Sequence, residues 1–172
     1  DELGIDPERV VVTGGSAGGA LTAAVCLIAR DRGGPKIAFQ ALTVPVLDDR
    51  LDQPSYAQAR DAEGFNSRGA IGMWLHYLGE DYDRSRTSPY AAPARAESLA
   101  GLPPAFIQTN GLDPLRDEGV QFALRLMAEG IDVELYNAPG LFHGAEPLNQ
   151  RTARQAARLL DEALGAALKR EV

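Results

Sequence analysis

The stretch Val10-Val11-Val12-Thr13-Gly14-Gly15-Ser16-Ala17-Gly18-Gly19-Ala20 decides how this chain is read. A β-branched run leads into glycines, a single serine and a helix-forming segment. Within it, Gly14-Gly15-Ser16-Ala17-Gly18 is a G-x-S-x-G. Such a pattern describes a sharp turn from strand to helix, with the serine hydroxyl pushed out at its apex. Glycines two residues either side are expected where strand and helix pass too close for a Cβ. Because the same five residues also arise in ordinary glycine-rich turns, their meaning depends on the rest of the chain.

Outward from this turn, residues 10–13 read as a buried strand. Residues 17–32 read as a helix with Leu21, Val25, Ile28 and Ala29 at helical spacing, stopped by Gly33-Gly34-Pro35. Residues 37–47 read as a second strand, ended by Pro45 and Asp48-Asp49. Residues 50–65 are polar and irregular. Residues 67–78 form a helix with Ile71, Trp74, Leu75 and Leu78 on one side, and 80–104 a long structured loop. A third strand covers 104–109. A helix over 115–129 follows, with Val120, Ala123, Leu124 and Met127 at helical spacing and Gly130 as its cap. A fourth strand covers 133–136, extending toward Ala138. The last helix, 150–168, turns Ala153, Ala156, Ala157, Leu160, Leu164, Ala167 and Leu168 inward and Arg151, Arg154 and Arg158 to water.

This alternation predicts an α/β fold with a mostly parallel sheet. Right-handed crossovers put helices on both faces, and reactive groups belong at the carboxyl ends of the strands. Residues 50–103 read as an insertion within one domain spanning 1–172.

With a net charge of −7 and only two lysines, Lys36 and Lys169, the chain lacks the clustered cations that nucleic-acid binding needs. No G-x-G-x-x-G or Gly-Lys-Ser/Thr is present, which argues against nucleotide binding. No apolar run approaches the roughly 18 residues of a membrane span. Cys26 is the single cysteine, so no intrachain disulfide forms; with no recognisable signal peptide, this fits a cytoplasmic location. The chain opens on Asp1, and Asp1-Glu2-Leu3-Gly4 reads like a helix end with its glycine cap. It is therefore expected to be the middle of a larger protein.

A serine hydroxyl needs a base to take its proton, usually a histidine held by a carboxylate. Of the two histidines, His76 lies mid-helix among large apolar residues and reads as structural. His143, in Pro139-Gly140-Leu141-Phe142-His143-Gly144, follows the fourth strand on the same edge as Ser16. Asp113, in Gly111-Leu112-Asp113-Pro114-Leu115-Arg116-Asp117-Glu118, follows the third strand. Taken alone it reads as a helix N-cap. Asp117 and Glu118 read as first-turn acids favouring the helix dipole. The chain order Ser16, Asp113, His143 is that of the α/β-hydrolases.

On these stretches, together with Gly4-Ile5-Asp6-Pro7-Glu8-Arg9, Ala29-Arg30-Asp31-Arg32-Gly33-Gly34-Pro35 and Gly101-Leu102-Pro103-Pro104, the chain resembles the bacterial hormone-sensitive-lipase family of carboxylesterases, near the heroin-esterase type. The resemblance implies an α/β-hydrolase fold of which the chain covers about the last four strands. It implies Ser16 as nucleophile, His143 as general base and acid, and Asp113 as the orienting carboxylate. The implied reaction is hydrolysis of small or short-chain esters through an acyl-enzyme, without metal or organic cofactor. The backbone N–H of Ala17 serves as an oxyanion donor, with Phe65, Trp74, Leu141 and Phe142 as candidates for the pocket wall.

Two departures stand out. Gly15 occupies a position where many relatives carry Asp, which should cost local hydrogen bonding. The upstream His-Gly-Gly-Gly loop, cap and first strands of the family are not in this chain. That leaves the strand at 10–13 as an exposed edge, prone to pairing, and the segment alone inactive or weak. Homodimers through about 132–136 are a further implication. A noncatalytic small-molecule-binding protein or a peptidase on the same fold are the alternative readings.

Overall fold

The computed structural model describes residues 4–62, 64–145 and 151–169. The readings placed on Asp1–Leu3 and on Gln150 lie outside them. Four strands, β1 (Val11–Gly15), β2 (Phe39–Thr43), β3 (Ala105–Asn110) and β4 (Val133–Ala138), form one parallel sheet in that order. Between and after them run α1 (Ala17–Arg32), α2 (Pro54–Gln58), α3 (Ser67–Leu78), α4 (Arg116–Ala128) and α5 (Arg151–Lys169).

Strand pleating sorts the side chains onto two faces. On one, Leu42, Ile107 and Leu135 pack under Ala23, Cys26 and Leu27 of α1 and Phe122, Ala123 and Leu126 of α4. On the other, Val11, Phe39, Ala41, Phe106 and Tyr136 pack against Leu160, Ala163, Leu164 and Ala167 of α5. Both faces are covered, as the sequence implies, but for a different reason. The strand order never reverses, so right-handed crossovers keep α1 and α4 on one face. The opposite face is covered by α5, which follows the last strand.

The helices bury faces that large-residue spacing does not reveal. In α1, Ala23, Ala24, Cys26 and Leu27 are buried, whereas Leu21 and Val25 are 56% and 44% exposed. A face of small residues lets the helix lie close: a Cβ on Gly19 would stand 2.8 Å from the Pro45 Cβ. In α4, Phe122, Ala123 and Leu126 are buried, while Leu124 and Met127 are exposed. In α5, Ala163 is buried where Ala157 and Leu168 were expected. On α3, Ile71 is exposed although Trp74 is buried.

Strand β2 ends at Thr43 and not at residue 47, because Val44 takes φ 43° and turns the chain away. Residues 50–65 are not wholly irregular. They contain α2, a five-residue helix with Pro54 in its first turn, too short for periodicity to register. The long loop at 80–104 includes short 3-10 turns at Arg84–Arg86 and Pro93–Arg95.

The segment between β2 and β3 is bound to the rest by specific contacts. Arg95 donates to buried Asp49 at 2.5 and 3.0 Å. The Ser55 hydroxyl donates to the Pro114 carbonyl at 2.6 Å, and Arg125 to that of Ala94 at 2.7 Å. Trp74, Tyr56, Ala70 and Val46 form an apolar cluster with Ala20 and Leu115. Among the described residues no helix is long and apolar enough to cross a membrane.

Candidate active site

Ser16 stands where β1 becomes α1. Its backbone lies at φ 55°, ψ −121°, a region L-residues rarely occupy. Backbone hydrogen bonds on both sides hold it there. Its N–H donates to the Thr43 carbonyl at 2.9 Å, and its carbonyl accepts from Gly19 at 2.9 Å and Val46 at 3.2 Å. A serine at a helix N-cap ordinarily turns its hydroxyl onto the first-turn amides. Here the side chain makes no cap bond and faces His143 instead.

The sharpness of the turn requires Gly14, where a Cβ would lie 2.3 Å from the Gly18 carbonyl oxygen. Gly18 differs from expectation, since a Cβ there would meet nothing within 4 Å. The tight second glycine is Gly19, against Pro45. A side chain at position 15 would meet the Thr43 hydroxyl at 2.8 Å, so Thr43 occupies the space a side chain at 15 would need.

Strands β3 and β4 deliver the other two predicted residues to the same edge. The Ser16 Oγ lies 3.0 Å from His143 Nε2, and His143 Nδ1 lies 2.7 Å from Asp113 Oδ2. Asp113 is 1% exposed. Its second oxygen, Oδ1, accepts from the Leu115 N–H at 2.9 Å. Each oxygen of Asp113 thus has its own partner, the imidazole for one and a backbone N–H just ahead of the helix for the other, the helix proper beginning at Arg116. The His143 loop is tied to β3: Asn110 Nδ2 donates to the Phe142 carbonyl at 3.0 Å, and Leu112 N–H to that of Leu141 at 2.9 Å.

The remaining candidates separate. Phe65 packs against the His143 imidazole, ring centroids 4.6 Å apart. Phe142 borders a cavity of about 250 Å³ together with Ser55, Leu112, Asp113 and Arg116. Trp74 borders an apolar cavity of about 270 Å³ with Ala17, Leu21, Val46 and Tyr77. Leu141 is buried in a cluster with Ala138, Ala145 and Ala153; it is core and lines neither cavity. Ala17 is exposed at the amino end of α1, where helix amides favour negative charge. His76 is exposed on α3, apart from this arrangement.

Sequence reasoning missed Glu118. Read as a first-turn acid favouring the dipole, it is buried, and accepts from Leu47 N–H and Tyr56 O–H, each at 2.6 Å. Burial pushes its carboxyl up to about 8, against the bonds from Tyr56 and Leu47 that lower it. The only available signal was its place one residue after Asp117, which faces α2 instead. Burial also pushes the Cys26 thiol up to about 12, so this cysteine is an inert core residue.

An exposed-end hydroxyl bonded to an imidazole, itself bonded to a buried carboxylate, is an arrangement able to deprotonate the hydroxyl. Residues 1–146 match the family described as alpha/beta hydrolase fold. The chain is 41% identical over 143 residues to Esterase LipI of Mycobacterium tuberculosis, covering 83% of this chain and 44% of that one. It is 36% identical to the Arylesterase of Saccharolobus solfataricus, covering 98% and 53%. A solved structure titled Bacterial Heroin Esterase superposes with a TM-score of 0.95 at 44% identity, covering 98% of this chain and 55% of that one. The chain thus spans about half the length of these relatives. It belongs to the alpha/beta hydrolase fold family, among the hormone-sensitive-lipase-like esterases its sequence resembles.

Proposed function

We propose that this chain is the nucleophile-bearing, carboxyl-terminal part of a serine carboxylesterase domain acting on small or short-chain esters. The observation that carries the reading is the unbroken hydrogen-bonded chain from Ser16 Oγ through His143 to Asp113, at 3.0 and 2.7 Å. The names of the relatives, esterases and an arylesterase, support it. A cytoplasmic location fits the lone, buried Cys26.

In this mechanism His143 Nε2 takes the Ser16 proton as Oγ attacks the ester carbonyl. Asp113 holds Nδ1–H and stabilises the imidazolium that forms. The Ala17 N–H, beside the amino end of α1, donates to the developing oxyanion. His143 then passes its proton to the leaving alcohol as the tetrahedral intermediate collapses to acyl-Ser16. Water, deprotonated by His143, releases the acid and restores the serine.

The test is Ser16→Ala in the longer protein that includes the upstream half. Turnover of a short-chain nitrophenyl ester is expected to fall by about 10⁴-fold or more in kcat, with circular dichroism unchanged. Retention of wild-type turnover would remove Ser16 from the chemistry.

A further inference from the structure

The turn after β2 holds Ser16 from both sides. The Thr43 carbonyl takes its N–H and the Val46 N–H reaches its carbonyl. The turn is itself unusual. Val44 is a β-branched residue at φ 43°, a conformation that costs energy and persists only where neighbours enforce it. Two enforcing contacts are visible. Val44 N–H donates to the Gln108 carbonyl of β3 at 2.8 Å, and Leu47 N–H donates to Glu118 Oε1 at 2.6 Å.

Glu118 lies in the first turn of α4, five residues after Asp113, so the helix that begins behind the Asp113 turn also carries it. Its other oxygen is fixed by Tyr56 of α2 at 2.6 Å. The Asp48 carboxylate lies close enough to raise its charge cost, and the Asp48 backbone N–H also turns toward the carboxyl. A polar cavity of about 290 Å³, bordered by Asp48, Arg50, Gln53, Gln121 and Arg125, adjoins it. A buried carboxyl is costly, and an apolar residue would fill this site more cheaply. What the carboxyl supplies is an acceptor for a turn that holds the serine.

We propose that Glu118 is a positioning residue: by accepting from Leu47 it fixes the turn that grips Ser16, and so sets the serine against the Asp113–His143 pair carried by the opposite side of the site. The proposal rests on Ser16 being the nucleophile, and its test separates the two.

The longer protein that includes the upstream half is exposed to a fluorophosphonate probe, and labelling of Ser16 is timed by mass spectrometry in wild type, Glu118→Met and Glu118→Gln. Amide exchange at Ser16, Val46 and Ile107 is measured in parallel. Glu118→Met should label at least tenfold slower and release the Ser16 and Val46 amides while Ile107 in β3 stays protected. Glu118→Gln, which keeps an acceptor for Leu47, should label within about threefold of wild type. Should Glu118→Met fail to fold, Tyr56→Phe replaces it: this removes only the hydroxyl holding the carboxyl, and labelling at least threefold slower is expected. Wild-type labelling in the variant used overturns the proposal. So does a Glu118→Gln protein as slow as the methionine variant. If wild type itself does not label, the nucleophile reading fails. The exchange arm then decides alone, and unchanged Ser16 and Val46 protection overturns the positioning role.

Discussion

A Cβ on Gly14 would stand 2.3 Å from a backbone oxygen that cannot move without opening α1, whereas Gly18 faces open space. Gly14→Ala is therefore expected to lose about 3 kcal/mol or more of unfolding free energy in urea. Gly18→Ala, in the first turn of the helix, should be neutral to about 1 kcal/mol more stable. Equal losses in the two would mean that the turn is not packed as described. Glu118 gives a second prediction at this scale. Its carboxyl is raised from 4.5 to about 8 in the folded chain. Below 4.5 both states are protonated and it exerts no pH effect. Between 4.5 and 8 the unfolded chain gives up the proton while the folded chain keeps it, so stability falls as pH rises, and levels off above 8. Glu118→Gln should flatten that slope. An identical pH dependence in wild type and variant would place the titration elsewhere. Ser16, Asp113 and His143 were legible from residue type and strand-end placement. Glu118 was not, because its importance comes from a neighbour 71 positions away in the chain, Leu47.

At the scale of elements, the two edges of the sheet differ in kind. Strand β1 pairs with β2 on one side, and its residues from Val11 to Gly15 carry no charge. Strand β4, on the opposite edge, carries exposed Glu134, and Asp132 precedes it. Charged side chains on an edge discourage pairing, and an uncharged apolar edge invites it. Self-association of this chain is therefore expected through β1. Sedimentation velocity should show Thr13→Lys, at an exposed position in β1, shifting associated material to monomer. Association that survives Thr13→Lys and responds to Glu134→Lys would instead place pairing at β4, the edge implied by the resemblance. The existence and order of strands and long helices were legible because hydrophobic periodicity and glycine or proline stops mark them. The inward faces of α1 and α4 were harder. Ala23, Ala24 and Gly19 pack closest and carry little hydrophobic signal, while the more visible Leu21, Val25, Leu124 and Met127 point outward. Strand β2 stopped early for the same kind of reason: the φ of Val44 is imposed by the turn around Ser16, and its β-branched side chain argues for the opposite.

For the whole molecule, one sheet carries all three residues of the site on a single edge, at the ends of β1, β3 and β4. In the proposed mechanism the oxyanion donor that this chain supplies is the Ala17 N–H. Relatives about twice its length are expected to bring further donors from upstream. Loss of a single such donor costs about 10²–10³-fold in kcat. The short chain should accordingly turn over a nitrophenyl acetate at least about 100-fold more slowly than the longer protein; equal kcat values would show that this chain suffices. The Ser16–His143 hydrogen bond joins residues 127 positions apart. During synthesis at roughly 5–20 residues per second, the ribosome would finish His143 between about 6 and 25 s after Ser16. Through that interval Ser16 lacks the imidazole that the proposed mechanism assigns as its base. On the proposed mechanism the separation is a built-in delay: a growing chain has no esterase chemistry at Ser16 until the β4 end of the sheet is in place.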